Sequence, residues 1–243
     1  MRQTQNRGQH GSALVYILVA IALLAALTAS LMDSSSEQTQ AQNASSLSSE
    51  ISSQSRFIRG VIDSCYLLYP DGDADLLTGS GHAQAGEQMN HPYPIRPNHP
   101  YFAAHTDGRA PTDQVDNLRC PGNPGDDVDH ADMFGGNSGK FMPPAPKLLS
   151  QWRYYAGADG VFYFTATDKT DPYIEQAFDK VDSLHSDCEA DHIDATGGAV
   201  TITSDDVYTN GTDASEAALT CPNNYRCLRI WIKRNDSSLP ACP

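Results

Sequence analysis

His185, Cys188 and His192, with Glu189 and Asp191 between them, are residue types that hold a metal ion, and their spacing could present them from one helix end. Acidic neighbours raise imidazole pKa values and disfavour the neutral ligand form. In an oxidising compartment Cys188 is instead expected to be half of a disulfide. A second candidate is the run Asp71, Asp73 and Asp75, spaced like the opening of a calcium loop. Leu76 stands where such a loop needs glycine and His82 where it needs a bidentate acid, which excludes an EF-hand. A looser oxygen site from these residues, or from Asp126, Asp127, Asp129 and Asp132, is the remaining calcium reading, against that of solvated acidic turns. No other cofactor is expected.

His91, His99 and His105 lie in a proline-rich segment with Tyr93, Tyr101 and Phe102, where extended backbone and exposed rings suit a protein contact better than catalysis. Nucleophile-elbow, zinc-protease and dinucleotide motifs are absent from the chain. The run ending Gly139-Lys140 fails as a phosphate loop, because Phe134 occupies the first glycine place and Phe141 follows the lysine. With no nucleophile and base to name, the chain is not expected to be an enzyme.

What positions these residues begins at the N-terminus. Residues 12–32 carry no charge and follow a short basic head with Arg2 and Arg7. As a helix this run matches a hydrocarbon core of about 30 Å. Asp33 and Glu37 follow, with no Lys or Arg before Arg56, so the expected orientation leaves the N-terminus cytoplasmic and the bulk of the chain outside the cytoplasm. The cysteines agree with that side: Cys65, Cys120, Cys188, Cys221, Cys227 and Cys242 are an even set, open to about 15 pairings. The 243 residues carry a net charge of −14, more negative still without the basic head, which disfavours nucleic acid as a partner.

The next stretch is rich in Ser, Gln, Asn and Ala, a linker-like composition, yet it holds no glycine before Gly60 and no proline before Pro70. Ala44, Leu47, Ile51, Ile58, Ile62, Cys65 and Leu68 recur at the spacing of one helical face. A single helix is therefore expected from Ser12 to Tyr69, about 87 Å long, ended by Pro70 and the turn residues after it.

A basic leader ending in Gly11, the small polar Ser12, an unbroken apolar helix and an amphipathic continuation resemble the type IV pilins and the pseudopilins of type II secretion. The resemblance covers roughly residues 1–69. It implies cleavage after Gly11 by a prepilin peptidase, methylation of the new N-terminus at Ser12, residence in the bacterial inner membrane as a single-pass protein with a periplasmic or extracellular domain, and assembly with other pilin or pseudopilin subunits. Leu14, Val15, Tyr16, Ile17, Leu18, Ile21 and Leu24 would supply helix contacts in lipid, with Ala20, Ala22, Ala25 and Ala26 allowing close approach. The chain departs from the family at Tyr16, where most members carry a glutamate that pairs with a neighbour's amine. Some minor, tip-located pseudopilins also lack it, which points to a low-copy initiating or capping subunit.

Beyond residue 69 the pattern is turn-rich, and 71–146 reads mostly as loops. Residues 152–167 read as an aromatic hairpin around a Gly-rich turn. A helix should follow, capped at Thr170 or Asp171 with Pro172 in its first turn and Ile174, Phe178, Val181 and Leu184 on one face. Residues 199–203 and 227–233 read as strands, the second alternating Leu228, Ile230 and Ile232 against Arg229, Trp231 and Lys233. The expected fold class is α+β: a long N-terminal helix packed on a small antiparallel sheet with long loops. The expected organisation is a leader at 1–11, a transmembrane helix at 12–32, its amphipathic continuation at 33–69 and an extracytoplasmic domain at 70–243. Two functions compete: a pilin-like structural subunit, or a membrane-anchored binding protein that does not polymerise.

Overall fold

The structure, a computed structural model, describes residues 10–70, 72, 93–94, 113–120, 131–135, 138–157, 160–186, 189–202 and 219–234, the side chains at 10–12, 29–36 and 157 excepted. Helix α1 runs unbroken over His10–Leu68, 59 residues and about 88 Å. Nothing in its sequence stops it before Gly60, and the last turn closes with Tyr69 N–H donating to Cys65 O ahead of Pro70. The 44–65 spacing does what an amphipathic helix must: Ala44, Leu47, Ile51, Ile58, Val61, Ile62 and Cys65 are all buried. Leu68, expected on the same face, is exposed, and Tyr69 next to it is the residue that packs against the core. Among the described residues no helix is long and apolar enough to cross a membrane; the described part of the apolar run ends at Thr28.

The body is a four-stranded, wholly antiparallel sheet of order β3-β4-β8-β5, formed by β3 (Arg153–Gly157), β4 (Gly160–Thr167), β5 (Ala190–Asp194) and β8 (Arg226–Arg234). Two small ladders accompany it: β1 (Arg119–Cys120) with β2 (Ala131–Asp132), and β6 (Val200–Thr201) with β7 (Thr220–Cys221). A 3-10 turn at Val115–Asn117 lies beside β3, where Val115 N–H donates to Trp152 O and Tyr154 N–H to Asp113 O. Gly160 opens β4 at φ +126, and a Cβ there would collide with Lys233 O of β8, so only glycine fits.

Helix α2 (Pro172–Asp182) joins β4 to β5 and lies on the same sheet face as α1. It starts after Asp171 with proline in the first turn, as expected, although Asp171 makes no side-chain capping bond. Ile174, Ala177, Phe178 and Val181 enter the core with the α1 seam and with Tyr154, Tyr163, Leu228 and Ile230 of the sheet. Leu184, assigned by spacing to that face, is exposed because the helix ends at Asp182.

The opposite face is also buried, which the alternation in β8 does not suggest. Tyr155, Phe162, Phe164, Cys227 and Trp231 form a second core, closed by Ala195, Ile202 and Cys221 from the β5–β8 connection. Trp231, read from sequence as part of the polar side of β8, is 2 % exposed. Among the described residues two disulfides fasten the two sides: Cys65–Cys120 ties the end of α1 to β1, and Cys221–Cys227 ties β7 to β8. Cys188 and Cys242 lie outside the described residues.

Candidate functional site

Among the described residues, the N-terminal half of α1 is left uncovered by the fold. Every described side chain from Ala13 to Thr28 is exposed, so this part of the helix has no buried face. Leu14, Val15, Tyr16, Ile17, Leu18, Ile21 and Leu24 range from 57 to 73 % exposed. A contiguous apolar rod of this size is unfavourable in water. Thr28 offers no polar interruption, because its hydroxyl donates back to Leu24 O and Ala25 O of the same helix. Gly11 and Ser12 lie in the first turn of α1.

Further along, the helix changes character without a break. Its seam against the sheet carries three buried polar residues, Ser48, Gln54 and Ser55. Trp152 Nε1 donates to Gln54 Oε1 at 2.8 Å while Gln54 Nε2 donates to Pro144 O at 2.9 Å. Ser55 Oγ and Tyr163 OH are 2.6 Å apart, and the Tyr163 hydroxyl also reaches Ser55 O at 3.1 Å. Burial pushes the Tyr163 phenol up to about 12, outweighing the opposing effect of its Ser55 bond. Tyr154, fully enclosed, is raised well above the ordinary value by burial and donates to Pro94 O at 2.7 Å. Beside this seam an open groove of about 710 Å³ is lined by Ser46, Ser49, Glu50, Ser53 and Phe57 of α1 and by Phe141 across from them.

The sequence candidates for metal binding do not come together. His192 lies in β5, not at a helix end; its Nδ1 sits 2.7 Å from Asp179 Oδ1 of α2 and its ring packs edge-on against Phe178. His185 lies in the turn after α2, its pKa lowered chiefly by burial. Glu189 accepts from Ser186 N–H, which lowers its pKa, and faces Arg59 at 3.9 Å. Asp191 is committed to the second core, where its carboxylate accepts from both Trp231 Nε1 and the Arg229 guanidinium. Among the described residues no group of three or more His, Cys, Asp and Glu side chains is arranged to hold a metal ion. Asp71, Asp73, Asp75, Asp126, Asp127 and Asp129 lie outside the described residues, and Asp132 faces Arg119 at 4.0 Å.

The proline-rich segment enters the described structure only at Tyr93 and Pro94. Tyr93, expected to be exposed for a partner, is half-buried and stacks on Tyr66 of α1 with ring centroids 5.1 Å apart. Tyr101 and Phe102 fall outside the described residues. Near Lys140, Gly135 N–H donates to Lys140 O and Ser138 N–H to Gly135 O, so these two amides are already engaged within the chain.

Sequence reasoning missed Gln54 and the second core. Gln54 sits in a Ser- and Gln-rich stretch of linker-like composition that reads as helix, and its place between Ile51 and Ile58 on the apolar line was a usable signal. At the level of class, the geometry defines an α+β domain docked on the second half of a long helix whose first half is apolar and exposed. No family model, curated protein or solved structure matches the chain.

Proposed function

We propose that this protein is a pilin-like structural subunit, held in a membrane by the first half of α1 and added to a type IV pilus or type II secretion filament by helix packing. The observation that carries this reading is the junction within one helix, apolar and exposed over 13–28 and docked on an antiparallel sheet from Ala44 to Cys65. A spanning helix needs an apolar stretch of about 20 residues, and residues 12–32 supply one. Gly11 and Ser12 flank the bond that a prepilin peptidase would cut, and both follow a basic head. Tyr16 favours a minor or tip position, since no carboxylate is available to recruit a neighbour's amine in lipid.

Partners under this reading are the inner membrane, other pilin or pseudopilin subunits and the peptidase; none of the chemistry proposed is catalytic. Disulfides suit the oxidising side of the membrane. The test is intact mass and N-terminal sequencing of protein extracted from membranes of cells with and without a prepilin peptidase. A mature start at Ser12, with one added methyl and only when the peptidase is present, is the expected result. A leader retained through Gly11 in both strains would overturn it and leave a membrane-anchored binding protein.

A further inference from the structure

Four of the six cysteines are paired with one another, Cys65 with Cys120 and Cys221 with Cys227. Cys188 and Cys242 are the remaining two, and the described residues beside them bound where each can reach. Cys188 stands between Ser186 and Glu189, which meet twice: Glu189 N–H donates to Ser186 O at 2.8 Å, and Ser186 N–H donates to Glu189 Oε2 at 3.2 Å. The turn so closed keeps Cys188 one peptide, about 3.8 Å between Cα atoms, from Glu189. Glu189 is itself tied to β8, its carbonyl accepting from Trp231 N–H at 2.8 Å, one step before the ladder that pairs Ala190 with Ile230. Cys188 therefore belongs to the end of the sheet at which β8 finishes with Arg234.

Cys242 is the eighth residue beyond Arg234, and a chain of that length extends to about 28 Å. Continued by two residues, the ladder would set position 188 across from position 232, about 7 Å back along β8 from Arg234 and about 5 Å to its side. The span to be bridged is thus about 9 Å, well under half the reach of the tail. The slack accommodates a chain reversal, and the tail opens with the turn formers Asn235, Asp236 and Ser237.

We infer that Cys188 and Cys242 form a third disulfide, which brings the C-terminal segment back to the turn before β5. In the closing step both thiols lose a proton and together pass two electrons to a small-molecule disulfide. That oxidant is reduced to two thiols as the Cys188–Cys242 bond forms. The bond acts on the margin of the sheet. β5 is a five-residue edge strand whose ladder partner is β8, and a link from 188 to 242 encloses both strands and the connection that covers the second core. It needs only the oxidising compartment that the other two disulfides already require, in a chain that polymerises or in one that does not, so it stands apart from the function proposed above.

The test is alkylation of free thiols in the full chain, extracted in detergent without reductant, followed by peptide mapping without reduction. Cleavage before aspartates releases residues 187–190 and 236–243, each with one cysteine. The expected result is these two peptides joined, with neither alkylated, in protein that migrates as a monomer. Hydrogen exchange reads the effect on the strand: Cys242→Ser should speed exchange of the 190–194 amides roughly tenfold and leave the amides shared by β3 and β4 at wild-type rates. Cys188→Ala combined with Cys242→Ser removes the thiol that the single variant exposes, and should give the same exchange. Both thiols alkylated in the wild type, either one joined to another cysteine, or the joined pair found only in a covalent dimer would each overturn the bond. Unchanged exchange at 190–194 in both variants would overturn its role in holding β5.

Discussion

The two halves of α1 invert the usual relation between composition and burial. Between Ala13 and Thr28 the helix is almost entirely apolar and every described side chain is exposed; between Ala44 and Cys65 it is rich in Ser, yet it carries the fully buried Ile51, Ile58 and Ile62. The share of apolar residues therefore does not decide which half belongs to the folded body. Arrangement does: apolar residues on all sides give the first half no face to hide, whereas a single apolar line with small polar residues around it gives the second half a face that fits a sheet. The described residues leave the first half uncovered, and the second is satisfied within the chain.

If the halves are independent, substitutions in each should act on different measurements. The largest effect is expected from Ile58→Ala, which empties a fully buried site and should lower domain stability by about 2 to 5 kcal/mol in urea unfolding while leaving membrane partition unchanged. Leu18→Arg should do the reverse: it costs about 3 kcal/mol near the centre of a spanning helix, so the membrane-bound fraction should fall with the urea midpoint unmoved. Movement of both quantities by either variant would break the comparison.

Tyr163→Phe sharpens it within the docked half. Losing the hydroxyl contacts to Ser55 should cost about 1 kcal/mol at neutral pH. The folded-state pKa of about 12 lies above the unfolded value of about 10. The unfolded chain thus releases this proton first, and stability should fall as pH rises from about 10 through about 12. Tyr163→Phe should remove part of that alkaline loss, and an unchanged alkaline slope would count against the phenol's enclosure. The smallest effect is expected from Lys180→Ala, whose ammonium donates to Ser45 Oγ at an exposed point between α2 and α1. A loss below about 0.5 kcal/mol is expected in the same unfolding experiment.

How much of this was legible depended on whether a residue's neighbours along the chain decided its fate. The α1 seam, the start of α2 and the hairpin of β3 and β4 were readable because period and punctuation agree there: three-and-four spacing in 44–65, Pro172 after Asp171, aromatic residues on both sides of a Gly-rich turn. Both errors lie at helix ends: Leu184 falls beyond the last residue of α2, and at the end of α1 Tyr69 rather than Leu68 packs against the core. β5 was hidden by its composition. The residues around it read as metal ligands presented from one helix end, whereas Asp191 is paired with Arg229 on a neighbouring strand and His192 meets Asp179 on a helix, contacts that only the fold creates. Trp231 and Arg229 followed the same logic: alternation placed them on an outer face, and the β5–β8 connection then covered it.

The covalent tie at the end of α1 has a mechanical consequence. A pull on the apolar half toward its N-terminus is carried by a helix with no glycine or proline joint between Ser12 and Gly60, so the load reaches the sheet undiverted. From Ala44 onward the buried seam takes it in shear, many side chains resisting together rather than one after another. Cys65 lies at the far end of that seam, beyond the last of the isoleucines, and hands the remaining tension to Cys120 through a bond that does not slide. The helix is in this sense a tow-bar, gripped along its rear half and pinned at its tail.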